Sequence, residues 1–351
     1  MNLGKKIGIF AVTALLVGVL AVQYGTPKEQ KRYTATFLEV FDTKTDIIGY
    51  APSKEAFTEQ VSLLKEKLVY YHELYDIYHD YEGINNIKTI NDQAGIAPVE
   101  VDPEIIRLLQ FSKEMYERTN GQVNIAMGSV LSIWHEYRED GMNDPANAKL
   151  PPMDELLAAS EHTDISNIII DESASTVYLS DPEMSLDVGS IGKGYAVQRV
   201  GEYAKELGME HVLLSVGGNV CAVGQRLDGT NWRLGIQNPD FESTETYVRK
   251  VDVADACVVT SGNYQRYYVV DGQRYCHIID PDTQMPADYF ASVSVVADDS
   301  GVADALSTAV YNMPYEEGLA FVNSLKDVEA MWIMEDGSVR YSENFEVYVA
   351  E

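Results

Sequence analysis

The chain has 351 residues, 46% of them apolar, and carries a formal net charge of −29. That length and apolar content bury a core of one large or two smaller domains, which excludes a disordered chain. So acidic a surface repels phosphate backbones and excludes nucleic acid as a partner; a small polyanion such as a dinucleotide is held only where a cation or backbone N–H groups offset the charge locally.

At the N-terminus, Lys5 and Lys6 precede an apolar run from Ile7 to Val22, and a polar, charged stretch from Gln23 to Arg32 follows. This is the layout of a secretory signal or an uncleaved signal anchor. The run is slightly short for a full span, which takes roughly 20 residues. No cysteine stands near its end, so a lipoprotein anchor is not expected, and Leu20-Ala21-Val22 is only a weak cleavage pattern. The expectation is an apolar helix within residues 1–33 that serves export or membrane attachment.

Next, Thr34 to Phe41 alternates as a strand, with Ile47 to Tyr50 as its hairpin partner. Phe57, Val61, Leu64, Leu68 and Tyr71 recur at helical spacing, which predicts a long amphipathic helix from Ser53 to about Tyr78. Asp102-Pro103 starts another helix and Asn120-Gly121 stops it. A helix over Ile125–Tyr137 carries Trp134, and the polar segment Gly141–Pro152 reads as an exposed loop. From Ile168 the pattern turns β-rich. Strands are predicted at Ile168–Ile170, Val177–Leu179, His211–Val216, Trp232–Ile236, Val248–Val253, Tyr264–Val270, Arg274–Ile279 and Ser292–Val296. Helices are predicted at Ile191–Leu207 and Ala303–Met313. There is no internal repeat and no low-complexity tract. Short-turn strands interrupted by helices indicate α+β, with a mixed or antiparallel sheet and flanking helices.

Three cysteines, Cys221, Cys257 and Cys276, show no CxxC spacing, which argues against zinc and against a disulfide framework. One bridge is possible, and the odd count leaves at least one thiol free.

Four segments carry candidate chemistry. In Ser185–Ala196 a short apolar strand ends at Asp187, a glycine-punctuated turn follows and a helix begins. Such a helix start offers free N–H groups to an anion, Lys193 is placed to reach a phosphate, and Asp187 could accept from a base or ribose. The segment is neither GxGxxG nor a P-loop, and packing glycines at a strand–helix junction would look the same. Ser215-Val216-Gly217-Gly218-Asn219 marks a tight turn or a close backbone contact. His277, one of only six histidines, lies among hydroxyls and precedes Asp280-Pro281; it could take a proton from an attacking hydroxyl or be a hydrogen-bonded structural histidine. Asp304 and Thr308, four apart, share a helix face and could hold a hard cation through oxygen. Asp304 could equally be a first-turn acid favoured by the helix dipole.

Together these segments resemble the ApbE family, the FAD:protein FMN transferases. The stretches that carry the resemblance are LDVGSIGKGYA, LLSVGGN, TSGNYQRYY with DGQRYCHIIDPDTQMP, and ADALSTAVYNM, with weaker matches at EVFDTKT and TNGQVNIAMGSVLSIW. They cover nearly everything after residue 34 in family order, so residues 34–351 are expected to form one transferase domain. The resemblance implies binding of FAD and Mg²⁺, cleavage of the diphosphate, attachment of FMN to a Thr or Ser hydroxyl of a target protein, and release of AMP. It implies FAD contacts for Phe41, Gln122, Val123, Asn124, Asp187 and Lys193. It implies a metal site at the Ser190 carbonyl, Asp304 and Thr308, and a place for His277 beside the diphosphate, where it would activate the acceptor. The implied partners are outward-facing redox complexes of the Rnf or sodium-pumping NADH:quinone reductase type. Three positions depart from the family pattern. Phe41-Asp42-Thr43 stands where Met-Gly-Thr is usual, Val123-Asn124 where Phe-Asp is usual, and Thr283-Gln284 where Thr-Gly is usual. The alternatives are a hydrolase giving FMN and AMP, a flavin-binding protein without catalysis, and a flavin-dependent redox enzyme.

Overall fold

The computed structural model describes residues 29–351, so the predicted N-terminal apolar helix lies outside the described residues. The centre is an eight-stranded antiparallel sheet whose strands follow one another in space as they do in sequence. They are β1 (Lys31–Val40), β2 (Thr43–Ala51), β3 (Val212–Val216), β4 (Asn219–Val223), β5 (Cys257–Gly262), β6 (Ser292–Ala297), β7 (Val328–Ile333) and β8 (Val339–Tyr341). Five helices matter to the site: α1 (Lys54–Tyr75), α2 (Pro103–Arg118), α3 (Gly128–Asn143), α4 (Gly192–Glu206) and α5 (Ser300–Tyr311). Among the described residues, no helix is long and apolar enough to cross a membrane.

Alternation along the strands places two cores on the two faces of the sheet. Leu214, Val259 and Val295 join the larger core, together with Leu64 and Leu68 of α1, Val197 of α4 and Leu306 of α5. Their neighbours Leu213, Val258 and Val296 face the other way, against Trp232, Leu234 and Ile236 of the hairpin Trp232–Gln237/Tyr247–Val253. The sheet is therefore sandwiched between helices and a β-hairpin. A third cluster packs Val130 and Trp134 of α3 on Tyr268 of a second hairpin, Tyr267–Val270/Gln273–Cys276.

Side-chain caps set the starts of the first two of these helices. Ser53 caps α1 by accepting from the Ala56 N–H, and Asp102 caps α2 by accepting from the Glu104 N–H. Several expectations shift. The first strand ends at Val40, and Phe41 and Asp42 form its turn at φ 51° and 49°. The first long helix stops at Tyr75, because the Asp76 carboxylate captures the Tyr78 and His79 N–H groups and the Tyr81 hydroxyl. α3 starts later than predicted and runs through Gly141 to Asn143, so the expected loop begins later. Gly141 is buried in that helix, where a Cβ would lie 2.5 Å from the Tyr268 ring; close packing on the hairpin, rather than a turn, explains this glycine. A helix at Met153–Ser160, just beyond the same polar stretch, also went unpredicted. The predicted strand Arg274–Ile279 ends at Cys276, which leaves His277 just past the hairpin.

Candidate functional site

One cavity of about 710 Å³ opens where the β3–β4 turn, the end of β5, the start of α4 and the face of α5 converge. Every site residue expected from the sequence lines it: Phe41, Gln122, Val123, Asn124, Asp187, Ser190, Lys193, His277, Asp304 and Thr308. Several come from distant parts of the chain.

The loop before α4 is held from both sides. Asn91 accepts from the Leu186 N–H at 2.7 Å and donates to its carbonyl at 2.9 Å. The Asp187 N–H donates to the Ile125 carbonyl at 2.8 Å, and the Asp187 carboxylate accepts from the Gly189 N–H at 2.7 Å. Burial raises the Asp187 pKa, while the Gly189 N–H and the charges of Arg138 and Arg266 oppose that rise. The N-cap of α4, Ile191, has no side-chain cap; in the first turn the Gly192 N–H donates to the Val188 carbonyl and the Gly194 N–H to Asp304.

α4 and α5 meet at Gly194. Its N–H donates to Asp304 Oδ2 at 2.7 Å. A Cβ there would collide with Asp304 Cβ and the Ser300 carbonyl, so only glycine lets the two helices come this close. Asp304 is 6% exposed. Burial raises its pKa, opposed by the charge of Lys193, the Gly194 N–H and the Asn219 amide. Lys193 is half-buried; desolvation lowers its pKa, partly offset by Asp304, and its Nζ donates to the Gly217 carbonyl at 3.3 Å. Gly217 and Gly218 take φ 51° and 94° in the β3–β4 turn, and a side chain on Gly217 would collide with Thr43. The paired glycines thus make both a tight turn and a close contact.

His277 faces the cavity from just past the second hairpin. Its Nδ1 is buried with no hydrogen-bond partner, while its backbone N–H donates to the Arg266 carbonyl at 3.1 Å. Desolvation, then the charges of Arg266, Arg138 and Lys193, bring its pKa down to about 3. The imidazole is therefore neutral at physiological pH and keeps a ring nitrogen free for a proton. Asp280, three residues on, accepts from the Asp282 N–H and the Thr283 hydroxyl, bracing the turn after the histidine. Gln284 takes φ 61° in that turn, which fits a position where glycine is usual.

The Gln122–Asn124 loop is also braced. Gln122 Nε2 donates to Asp282 at 2.9 Å, and Thr119 Oγ1 accepts from the Val123 N–H. The Asn124 side chain spans from the Thr163 carbonyl to the Ala126 N–H, so both of its ends serve the backbone. Phe41 sits in its strained turn with its N–H on His72 Nδ1 at 3.3 Å and its ring edge-on to that imidazole.

Sequence reasoning passed over two cations. Arg138 and Arg266 line the cavity with Lys193, and none of the three makes an ion pair with a carboxylate among the described residues. Arg138 Nη2 donates to His135 Nδ1 at 2.7 Å, and His135 Nε2 stands 3.1 Å from Glu139, which fixes the guanidinium in place. Desolvation lowers the Arg138 pKa, and repulsion from Arg266 adds to it. Three unpaired cations at one cavity in a chain of charge −29 form a site for an anion. Arg266 stood inside the TSGNYQRYY stretch; asking which of the 26 basic residues flank the glycine and histidine segments would have found it.

The donor set also fits a hard cation. Among the described residues no three His, Cys, Asp or Glu side chains gather. What converges at the start of α4 and on α5 is one buried carboxylate, the Thr308 hydroxyl one turn along the same helix, and Ser190. Oxygen donors so few suit Mg²⁺, which keeps waters and takes phosphate oxygens to complete its shell.

A family model described as the ApbE family matches residues 41–332. The chain is 33% identical over 273 residues to an FAD:protein FMN transferase of Treponema pallidum, covering 73% of this chain and 72% of that protein. It is 29% identical over 268 residues to one of Klebsiella pneumoniae, covering 75% and 80%. The crystal structure of an ApbE protein from Thermotoga maritima superposes with a TM-score of 0.79 at 26% identity, covering 92% of this chain and 100% of that one.

Proposed function

The chain belongs to the ApbE family, and from that premise we propose that it is an FAD:protein FMN transferase, moving FMN from FAD to a Thr or Ser hydroxyl of a target protein. The observation that carries the reading is the meeting, in one cavity, of a neutral His277, three unpaired cations and the oxygen donors of α5. The acceptor oxygen attacks the phosphorus on the FMN side of the diphosphate. A new P–O bond forms, the bond from that phosphorus to the bridging oxygen breaks, and AMP leaves. His277 takes the proton from the attacking hydroxyl. Arg138, Arg266 and Lys193 hold the phosphates; the diphosphate in turn offsets the cations that depress His277 and raises its basicity towards the working range. Mg²⁺, held by Asp304, Thr308 and the Ser190 carbonyl, would neutralise the diphosphate and stabilise the leaving phosphate. The cavity's apolar lining from Leu234, Ile236 and Trp134 suits a flavin ring, and its volume lies within the range of cofactor pockets.

Residues 1–33 are proposed as a signal or anchor that puts the 34–351 domain outside the cytoplasmic membrane, facing acceptors in Rnf-type or sodium-pumping NADH:quinone reductase-type complexes. The support is the apolar run Ile7–Val22 behind Lys5 and Lys6. The test of the metal assignment is Asp304→Ala. The variant is expected to lose Mg²⁺-dependent release of AMP from FAD in the presence of acceptor, and full activity in it would sink that assignment.

A further inference from the structure

Cys221 of β4 and Cys257 of β5 stand directly opposite each other in the sheet. The next pair along the ladder is joined by a bond from the Ala222 N–H to the Ala256 carbonyl at 2.9 Å, so the cysteines occupy a position without ladder hydrogen bonds. There the Cα atoms of facing residues approach to about 4.5 Å, inside the ~4.4–6.8 Å span that a disulfide bridges. The two Sγ atoms face each other as free thiols. Both side chains point under α4: Gly201 leaves room over the Cys221 sulfur, and Gln198 Oε1 lies 4.0 Å from the Cys257 sulfur. Cys276 sits apart in the second hairpin, its sulfur against the Ile278 carbonyl.

We propose that Cys221 and Cys257 form a cross-strand disulfide, closed as the chain folds in an oxidising compartment, and that Cys276 stays a thiol. Closing it joins the two sulfurs and releases two protons; the two electrons reduce an exchangeable disulfide of a thiol oxidant, whose S–S bond opens to two thiols. Cys257 is fully buried and Cys221 is 7% exposed, so exchange requires strands that have not yet packed under α4. Once formed, the bond ties together the two strands that wall the cavity. β4 begins at Asn219, beside Asp304, and β5 ends in the lining residues Thr260, Ser261 and Gly262. The inference rests on sheet geometry and on the export proposed for residues 1–33, and it does not depend on the transferase reading.

The test uses the full chain exported by a host through its own N-terminal segment, with N-ethylmaleimide added at lysis and kept through denaturation. Without reductant, intact mass is expected to show one maleimide, and a peptide map to place it on Cys276. After reduction and renewed labelling, all three cysteines react. Cys221→Ser/Cys257→Ser is expected to carry one maleimide in both conditions, and refolding from denaturant in the presence of reductant is expected to lower the melting temperature of the native chain but not that of the double variant. Three maleimides on the unreduced native chain would overturn the proposal. So would a native melting temperature that ignores reductant under denaturing pretreatment.

Discussion

Removing the imidazole of His277 should make the protein less sensitive to acid. Unfolded, a histidine takes a proton as pH falls through about 6.5; folded, His277 stays neutral down to about 3. Between those values the unfolded chain holds the extra proton, so the stability tied to the neutral imidazole is complete above pH 6.5 and is lost as pH falls towards 3. At pH 4.5 the unfolded side chain is about two pK units below its midpoint and the folded one still neutral, so the native protein gives up about 2–3 kcal/mol through this residue between pH 7 and 4.5. Asp187 and Asp304 act in the opposite sense, because their raised pKa values let the folded state take protons first. They are common to both proteins and drop out of the comparison. The assay is urea unfolding of the native chain and His277→Gln at pH 7 and pH 4.5, without FAD or metal. The native chain should lose about 2–3 kcal/mol more than the variant. Equal losses would refute the placing of a neutral imidazole among three cations.

Gly194→Ala should destabilise the fold by about 1–3 kcal/mol, since its Cβ must displace Asp304 or the Ser300 carbonyl from a packed helix crossing. Urea midpoints measure the cost, and Mg²⁺ titration of AMP release should show a weaker apparent affinity. Arg138→Gln and Arg266→Gln should each raise KM for FAD roughly 10- to 100-fold, the scale of one charge-assisted hydrogen bond. Inorganic pyrophosphate should compete with FAD in the native chain and much less in either variant. Unchanged KM values would remove the arginines from the anion site.

The sequence was most legible where one segment makes one element. The caps Ser53 and Asp102 and the period of Phe57, Val61 and Leu64 announced their helices, because local hydrogen bonds and one apolar face decide those elements. The glycine-rich start of α4, the Gly217-Gly218 turn and the Asp304/Thr308 face were visible as parts, but each alone had a plain packing explanation. Gly194 in fact serves packing and site together, because the close approach it permits is what brings Asp304 to the helix start. Arg138 was not legible. Its role depends on α3 crossing the second hairpin through Gly141, a tertiary contact 127 residues apart in the chain from Tyr268. Phe41 was placed in a strand because its neighbours alternate; the turn at φ 51° is held by His72, which comes from another element.

The account rests on transfer to a protein hydroxyl. The direct measurement is incubation of the purified chain with FAD, Mg²⁺ and an acceptor domain from an Rnf-type redox complex, followed by intact mass of the acceptor and quantification of AMP. The account predicts an acceptor heavier by one FMN moiety, fluorescent in a denaturing gel, with one AMP released for each FMN attached. AMP and free FMN in equal amounts with the acceptor unmodified would contradict it and assign the cavity to hydrolysis instead.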